Sequence, residues 1–394
     1  MNLMIDIHDF ESCETSGQFY GGNAGRKIGL VWRDSDWLVK FPGTTRNLHG
    51  SVPSYTTAPL SEWLGSHVYG ALGIPVHETV LGIRDGRIVC ACRDFTFPDS
   101  RLVNFHDLKN SLSDDEPGFT EDASTGSGVV LADVRSAIHR IPVLRSIDGV
   151  SDRFWDMFVV DAFIRNIDRN NTNWGILRNP RGEFSLAPVY DNGNSFNNKR
   201  TESGIERRLA NPDLIRQDAL DVRSCYVTDK GAPIAPLKYI MSGQDEECTK
   251  ALDRFMERYD PRSLHDLLDS VPSTSHGLTV APKGFHDYHR RVCDYRYEHA
   301  FVEAWRELHP AVGFPSRPEP SEPLPDPDPS IVPHRPPLRY VSTVREGDRA
   351  SHDIDGQETW NGRTIGSHAS KQATLEDLME QVRESAGWWE GDIQ

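Results

Sequence analysis

Asp168, Asn173 five residues on, and Asp191 eighteen beyond that have the types and spacing for work on phosphates. Phosphoryl transfer asks for a base to orient the acceptor and for oxygen ligands that hold a metal on the phosphates. Aspartate and asparagine supply anionic and neutral oxygens suited to a hard cation such as Mg²⁺. The loop that holds the first two, "NIDRNNTN", carries Asn166, Asn170, Asn171 and Asn173, more asparagine than one turn needs. The alternative reading is that these residues are turn formers satisfying local backbone groups. A second chemical signal is Lys40, near the end of the apolar run "DWLVKF". A lysine there either snorkels out or meets an anion. An ATP phosphate would serve, with Glu62 as a fixed partner, although Glu62 lies off the apolar stripe of its helix and a solvated glutamate fits nearly as well.

The elements that must position these residues are read from periodicity. "KIGLVW" and "DWLVKF" read as strands joined at "RDSD", and "VHETVLGI" and "RIVCACRDF" as two more joined at Asp85-Gly86. A helix is expected from Pro59, with Leu60, Trp63, Leu64, Val68 and Leu72 on one face and Gly73 closing it. "SDRFWDMFVVDAFIRN" is apolar nearly all round, which predicts a central buried helix with Ser151 as N-cap. "WGILRNPRGEFSLAP" predicts a hairpin, which returns the chain to where it left and brings Asp191 back near Asn173. A last long helix is expected over "FHDYHRRVCDYRYEHAFVEAWREL". In the first half, "GQFYGGNAGRKIGLVW" places Gly17, Gly21, Gly22, Gly25 and Gly29 around a strand, turn and strand, where backbone amides can approach phosphates. An ordinary glycine-rich hairpin fits that stretch as well.

Bulk properties exclude several classes. The 394 residues suffice for two lobes, and the net charge of −16 argues against a general nucleic-acid binder while leaving room for a nucleotide pocket. No stretch approaches the ~18 apolar residues of a membrane span. No basic leader is visible, and the six cysteines form no CxxC pair, which suits reduced thiols. A cytoplasmic protein is expected, with leaderless export left open. Eleven of the 26 prolines fall between Pro310 and Pro337, so residues 311–340 read as an extended linker. Residues 341–394 read as a polar, disordered tail with one short helix, "TLEDLMEQVRES", capped by Thr374.

Glycine loop, strand lysine, helix glutamate, strand pair, helical region, aspartate and metal hairpin occur in one order along the chain. "YGGNAGRKIGLVWRDSDWLVKFPG", "LSEWLGSHVYGALGIPVHETVLG", "VCACRDF", "NIDRNNTNWGIL" and "LAPVYDNGNSF" resemble the HipA-like serine/threonine kinases, particularly the CtkA-type branch, over roughly residues 15 to 300. The resemblance implies a bacterial protein with an α+β, two-lobed kinase fold: a β-rich lobe over residues 1–100 and a helical lobe over 101–310. It implies dependence on ATP and Mg²⁺. Carried over, Lys40 holds the α/β-phosphates, Asp168 is the catalytic base, and Asn173 and Asp191 bind the metal. Gly21, Gly22, Asn23 and Gly25 form the phosphate loop, and Arg93, Asp94 and Phe95 form the hinge against adenine. Such kinases can autophosphorylate a serine in the glycine loop, whereas this loop has Asn23 and only Ser16 nearby. A toxin or effector acting on itself and on a protein substrate is the main expectation, with an antitoxin or other docking partner for the tail. Alternatives are a pseudokinase-like module, transfer to a non-protein acceptor, or an interaction protein working through its proline-rich end.

Overall fold

The computed structural model describes residues 4–21, 25–46, 52–113, 115–119 and 128–310, together with the short pieces 351–352, 358–360 and 363–364. The first hundred residues form a five-stranded sheet. Its members are β1 (His8–Asp9), β2 (Lys27–Trp32), β3 (Ser35–Lys40), β4 (Thr79–Arg84) and β5 (Arg87–Arg93), in the order β1-β4-β5-β3-β2. Only the β1–β4 pair is parallel. The β2–β3 turn is tighter than "RDSD" suggested. Arg33 and Asp34 alone make it, both at positive φ (50° and 55°). The twist of a two-residue hairpin demands that conformation.

Alternation decides which way each β3 side chain points. Trp37 and Val39 join Phe10, Leu30, Phe41, Val89 and Ala91 in one apolar layer. Lys40, out of phase with them, faces the side covered by helix α1 (Ala58–Ala71). Leu60, Trp63, Leu64 and Val68 of α1 are buried as their spacing predicts. Gly65 of α1 lies against the turn at Asn192, where an added Cβ would come within 2.7 Å of the Asn192 Cβ.

Beyond β6 (Arg101–Asn104) helices dominate: α2 (Phe105–Lys109), then a short β7 (Val129–Val130), α3 (Leu131–Arg140), α4 (Pro142–Arg145) and α5 (Val150–Ile164). β8 (Gly175–Arg178) and β9 (Phe184–Leu186) form the expected hairpin, and β8 also pairs with β6. Next come α6 (Glu202–Leu209), α7 (Pro212–Leu220), β10 (Tyr226–Val227), α8 (Pro236–Ser242), α9 (Glu246–Arg258) and α10 (Pro261–Ser270). The hairpin β11 (Thr274–Ser275) and β12 (Leu278–Thr279) leads into α11 (Phe285–Arg296), a π-helical turn (Tyr297–Val302) and α12 (Glu303–Leu308), which together make the last long helix.

The central helix α5 is buried along eleven of its 15 residues. Its cap differs from expectation. Gly149, at φ 76°, stands at the N-cap, and the Ser151 hydroxyl lies inside the helix and donates to Glu247 Oε1 at 2.9 Å. A left-handed entry suits glycine, and a serine already inside the first turn is past the position from which it could cap. Arg296 is buried on α11, donating to Ala219 O (2.7 Å), Asp218 O (2.9 Å) and Phe163 O, so one guanidinium fastens α5 and α7 to α11.

Residues 318–394 form a separate compact unit. Its described residues make three short antiparallel strands, β13 (Ser351–His352), β14 (Glu358–Trp360) and β15 (Arg363–Thr364). The helix expected at Thr374 lies outside the described residues. Among the described residues no helix is long and apolar enough to cross a membrane.

Candidate active site

Lys40 Nζ stands 2.8 Å from Glu62 Oε2 and 2.8 Å from Asp191 Oδ1, joining the sheet, α1 and the segment after β9 through one ammonium. Glu62 is fully buried, not solvated. Its Oε1 accepts the Asn192 backbone N–H at 3.1 Å and lies 3.1 Å from His77 Nε2. Burial alone would raise the Glu62 carboxyl, but the Lys40 ammonium, aided by His77, holds it well below the usual carboxylate range. Burial works against the Lys40 charge too, and Asp191 with Glu62 outweighs it, so Lys40 stays cationic. Cys92 approaches the same cluster of Glu62 and His77, buried like them.

Asp191 sits at φ 59°, a left-handed conformation uncommon for a residue with a side chain. The two residues after it account for the strain. Asn192 turns inward and is fully buried, its amide donating to Ser66 Oγ at 3.0 Å and its carbonyl accepting from Arg169. A Cβ on Gly193 would stand 3.1 Å from Glu62 Oε2, so glycine keeps that carboxylate uncrowded.

The asparagine-rich loop after α5 folds upon itself. Asn166 Oδ1 accepts from the Asp168 N–H (3.3 Å), and Asn170 Oδ1 from the Thr172 N–H (2.9 Å). Asn173 Nδ2 donates to the Asp168 carbonyl at 2.6 Å, which fixes the orientation of its amide, and its Oδ1 accepts from the Thr172 hydroxyl at 3.3 Å. The Asp168 carboxylate is gripped on both oxygens, by Asn170 Nδ2 (3.0 Å) and Asn194 Nδ2 (2.8 Å). Burial pushes its pKa up, and those two amides counter part of the rise. Turn-making and site-building are therefore the same interactions here.

Arg169 does not face solvent. It is buried, with Nε 2.8 Å from Asp161 Oδ2 and further donations to the carbonyls of Asn173 (2.9 Å) and Tyr190. Asp161, on α5, also accepts from Tyr69 (2.7 Å) and Asn166 (3.1 Å). One buried ion pair thus ties α5 to the asparagine-rich loop and to the segment after β9. Sequence reading passed over Asp161, His77 and Asn194, whose partners are mostly distant in sequence.

The remaining expected residues divide between the glycine segment and the hinge. Gly21 lies at the end of the glycine segment, its carbonyl accepting from Lys27 Nζ at 3.1 Å, and Gly25 has φ 70°. Gly22 and Asn23 lie outside the described residues. The Arg93 side chain turns to Glu78 (3.3 Å) and Ser35 (3.3 Å), and the Arg93 and Asp94 amides donate to the carbonyls of Glu78 and Asp36 at 2.9 Å each. Asp94 Oδ2 accepts the Tyr20 hydroxyl at 2.9 Å, tying the arm of the glycine segment to the hinge, and Phe95 packs on Tyr190 at 5.6 Å. Ser16 is paired along β2, with its amide on the Gly29 carbonyl at 3.0 Å, and Ser16 Oγ lies so close that a Cβ on Gly29 would collide with it. Lys27 was missed. It stands directly opposite Lys40 in the β2–β3 register and could have been found by counting outward from the Arg33-Asp34 turn.

No family model matches the chain. The serine/threonine-protein kinase CtkA of Helicobacter pylori is 32% identical over 270 residues, which is 68% of this chain and 80% of that protein. The crystal structure of the Helicobacter pylori proinflammatory kinase CtkA superposes at a TM-score of 0.68 with 27% identity, covering 78% of this chain and all of that one. A Shewanella oneidensis HipA, solved with HipB and operator DNA, aligns at only 0.40 and 10% identity and adds no argument. Fold and relatives define a serine/threonine protein kinase with a two-lobed kinase fold. Within that class the chain belongs to the CtkA family.

Proposed function

We propose that this kinase transfers the γ-phosphoryl group of ATP to serine or threonine with Asp168 as the base, Lys40 as the phosphate anchor, and Asn173 and Asp191 as ligands of Mg²⁺. The observation carrying the reading is the joint geometry of the Lys40–Glu62–Asp191 clamp and the Asp168 carboxylate, hydrogen-bonded on both oxygens. The all-oxygen donor pair of Asn173 and Asp191 fits a hard cation. Bound Mg²⁺–ATP supplies the phosphoryl group and the charge that neutralises the phosphates.

The protein's part is positioning and proton handling. Asn170 and Asn194 aim the Asp168 carboxylate at the acceptor hydroxyl. As the acceptor oxygen bonds to phosphorus and the bond to the leaving ADP oxygen breaks, Asp168 takes the hydroxyl proton and later gives it to solvent. Lys40, held between two carboxylates, presents a fixed cation. Lys27 beside it adds a second, and burial lowers its pKa. The glycine segment is assigned to the phosphates and the backbone of Arg93, Asp94 and Phe95 to adenine, with the Arg93 and Asp94 amides already donating to the carbonyls of Glu78 and Asp36.

Self-phosphorylation, an effector or toxin role, a tail-bound antitoxin and a cytoplasmic site of action extend this reading. Their support is the sequence reading alone. Incubation of the purified chain with γ-labelled ATP and Mg²⁺, beside Asp168→Asn, tests the chemistry. Label on serine or threonine in wild type only is expected, and peptide mapping locates any self-modification. Equal labelling of the variant would remove Asp168 from the role of base.

A further inference from the structure

A groove of about 520 Å³ opens beside Asp168, outside the nucleotide clamp. It starts at Asn194, whose amide holds Asp168 Oδ2, and at Ile167 and Arg165, which precede the base in the loop. Its lining includes five cations, Arg165, Lys199, Arg200, Arg207 and Arg208, and no aspartate or glutamate, in a chain whose net charge is −16. Such a concentration of one sign against the charge of the whole is unlike a solvated face with both signs interspersed.

Two of the cations are built in. Asp218 pairs with Arg200 (2.7 Å) and with Arg208 while accepting from the Tyr288 hydroxyl at 2.7 Å, so it fixes both guanidiniums from behind. The other three have no carboxylate within ion-pairing distance among the described residues. Lys199 and Arg207 are exposed at the rim. Arg165 is half-buried where α5 ends, at φ 58°, and burial lowers its pKa. A partly desolvated guanidinium without a counter-ion is unfavourable unless an anion arrives to meet it.

We infer that this groove receives an anionic side chain, carboxylate or phosphate, lying a few residues from the acceptor serine or threonine of the protein substrate. The kinase is then directed to acidic or already phosphorylated segments. Contiguity with Asp168 makes the bound anion part of the acceptor chain and not of ATP, whose phosphates the reading above assigns to Lys40, and neither Lys40 nor Asp191 lines the groove. The inference rests on the kinase reading above.

The test is steady-state phosphorylation of a peptide series by the full chain. Each peptide carries one serine flanked by alanine, glutamate, phosphoserine or lysine. Relative to the alanine peptide, KM is expected to fall about tenfold with the anionic flanks and to rise with lysine. Higher kcat/KM for phosphoserine than for glutamate assigns the groove to phosphate, and equal values assign it to either anion. The double change Lys199→Glu with Arg207→Glu, at two exposed positions, should invert the ranking mainly through KM. A ranking that ignores flanking charge, in wild type and double variant alike, overturns the inference and leaves the kinase standing. No labelling of any peptide or protein by wild type would overturn the kinase reading itself.

Discussion

Asp168, Lys40 and Glu62 are each held by two or more other residues, so single substitutions separate into chemical and structural kinds. Asp168→Asn keeps a side chain of the same shape in the same loop. It should lower kcat by about 10²–10⁴-fold, the usual contribution of a general base, while circular dichroism and Tm stay near wild type. Arg169→Leu is the opposite case. It strands Asp161 inside the lobe and should cost about 3–5 kcal/mol in urea unfolding, because breaking a buried pair leaves an uncompensated charge. The raised pKa of Asp168 also shapes the pH profile. The base acts ionised, so kcat should fall as pH drops through a pKa above that of an ordinary aspartate, and a profile flat down to about pH 4, near the ordinary aspartate value, would exclude it. Asp168, Asn173 and Asp191 were legible in the sequence because their spacing is local to one loop and one hairpin. Glu62 was undecided because helical periodicity assigns a face without saying which face a second lobe will cover.

Among the elements, α1 carries Glu62 to Lys40, and its distance from the turn at Asn192 is set by a missing side chain. Gly65→Val should push helix and turn apart, since even the first carbon would come within 2.7 Å of Asn192 Cβ. Loss of activity is expected to exceed loss of stability. Phosphorylation assays beside thermal melts measure both, and unchanged kcat/KM would show that the helix has slack. Most strands and long helices were legible from alternation and helical periodicity. Caps were less so: Gly149 starts α5 by its backbone conformation, and the more familiar capping residue Ser151 was available to mislead. Arg296, which joins α5, α7 and α11 through carbonyl oxygens, left no trace in any local pattern.

For the whole molecule, residues 1–317 and 318–394 are separate compact units, and the clamp and base all lie in the first. A chain ending at Arg317 should therefore keep its kcat on peptide substrates. A large loss would place part of the working machinery in the tail. Stability should also depend on acid in a particular direction. His289, buried among Phe196, Phe285 and Tyr288, has its pKa pressed down to about 3 by burial. The folded state then refuses a proton that the unfolded chain accepts below its ordinary value of 6.5. Stability is full above that value and falls steadily as pH drops from 6.5 toward 3. His289→Phe, subjected to chemical unfolding on both sides of that ordinary value, should flatten the slope.

With Asp191 as the proposed metal ligand, Asn192 takes the place where many kinases carry a phenylalanine whose packing sets active and inactive states. Here the side chain is buried and fastened to Ser66 and Arg169, and its backbone amide to Glu62. Medicinal chemistry meets the result directly. Compounds that gain residence time by occupying a vacated aromatic slot find three hydrogen bonds and no slot, so inhibitors of this enzyme must be sought among scaffolds that fit the closed arrangement.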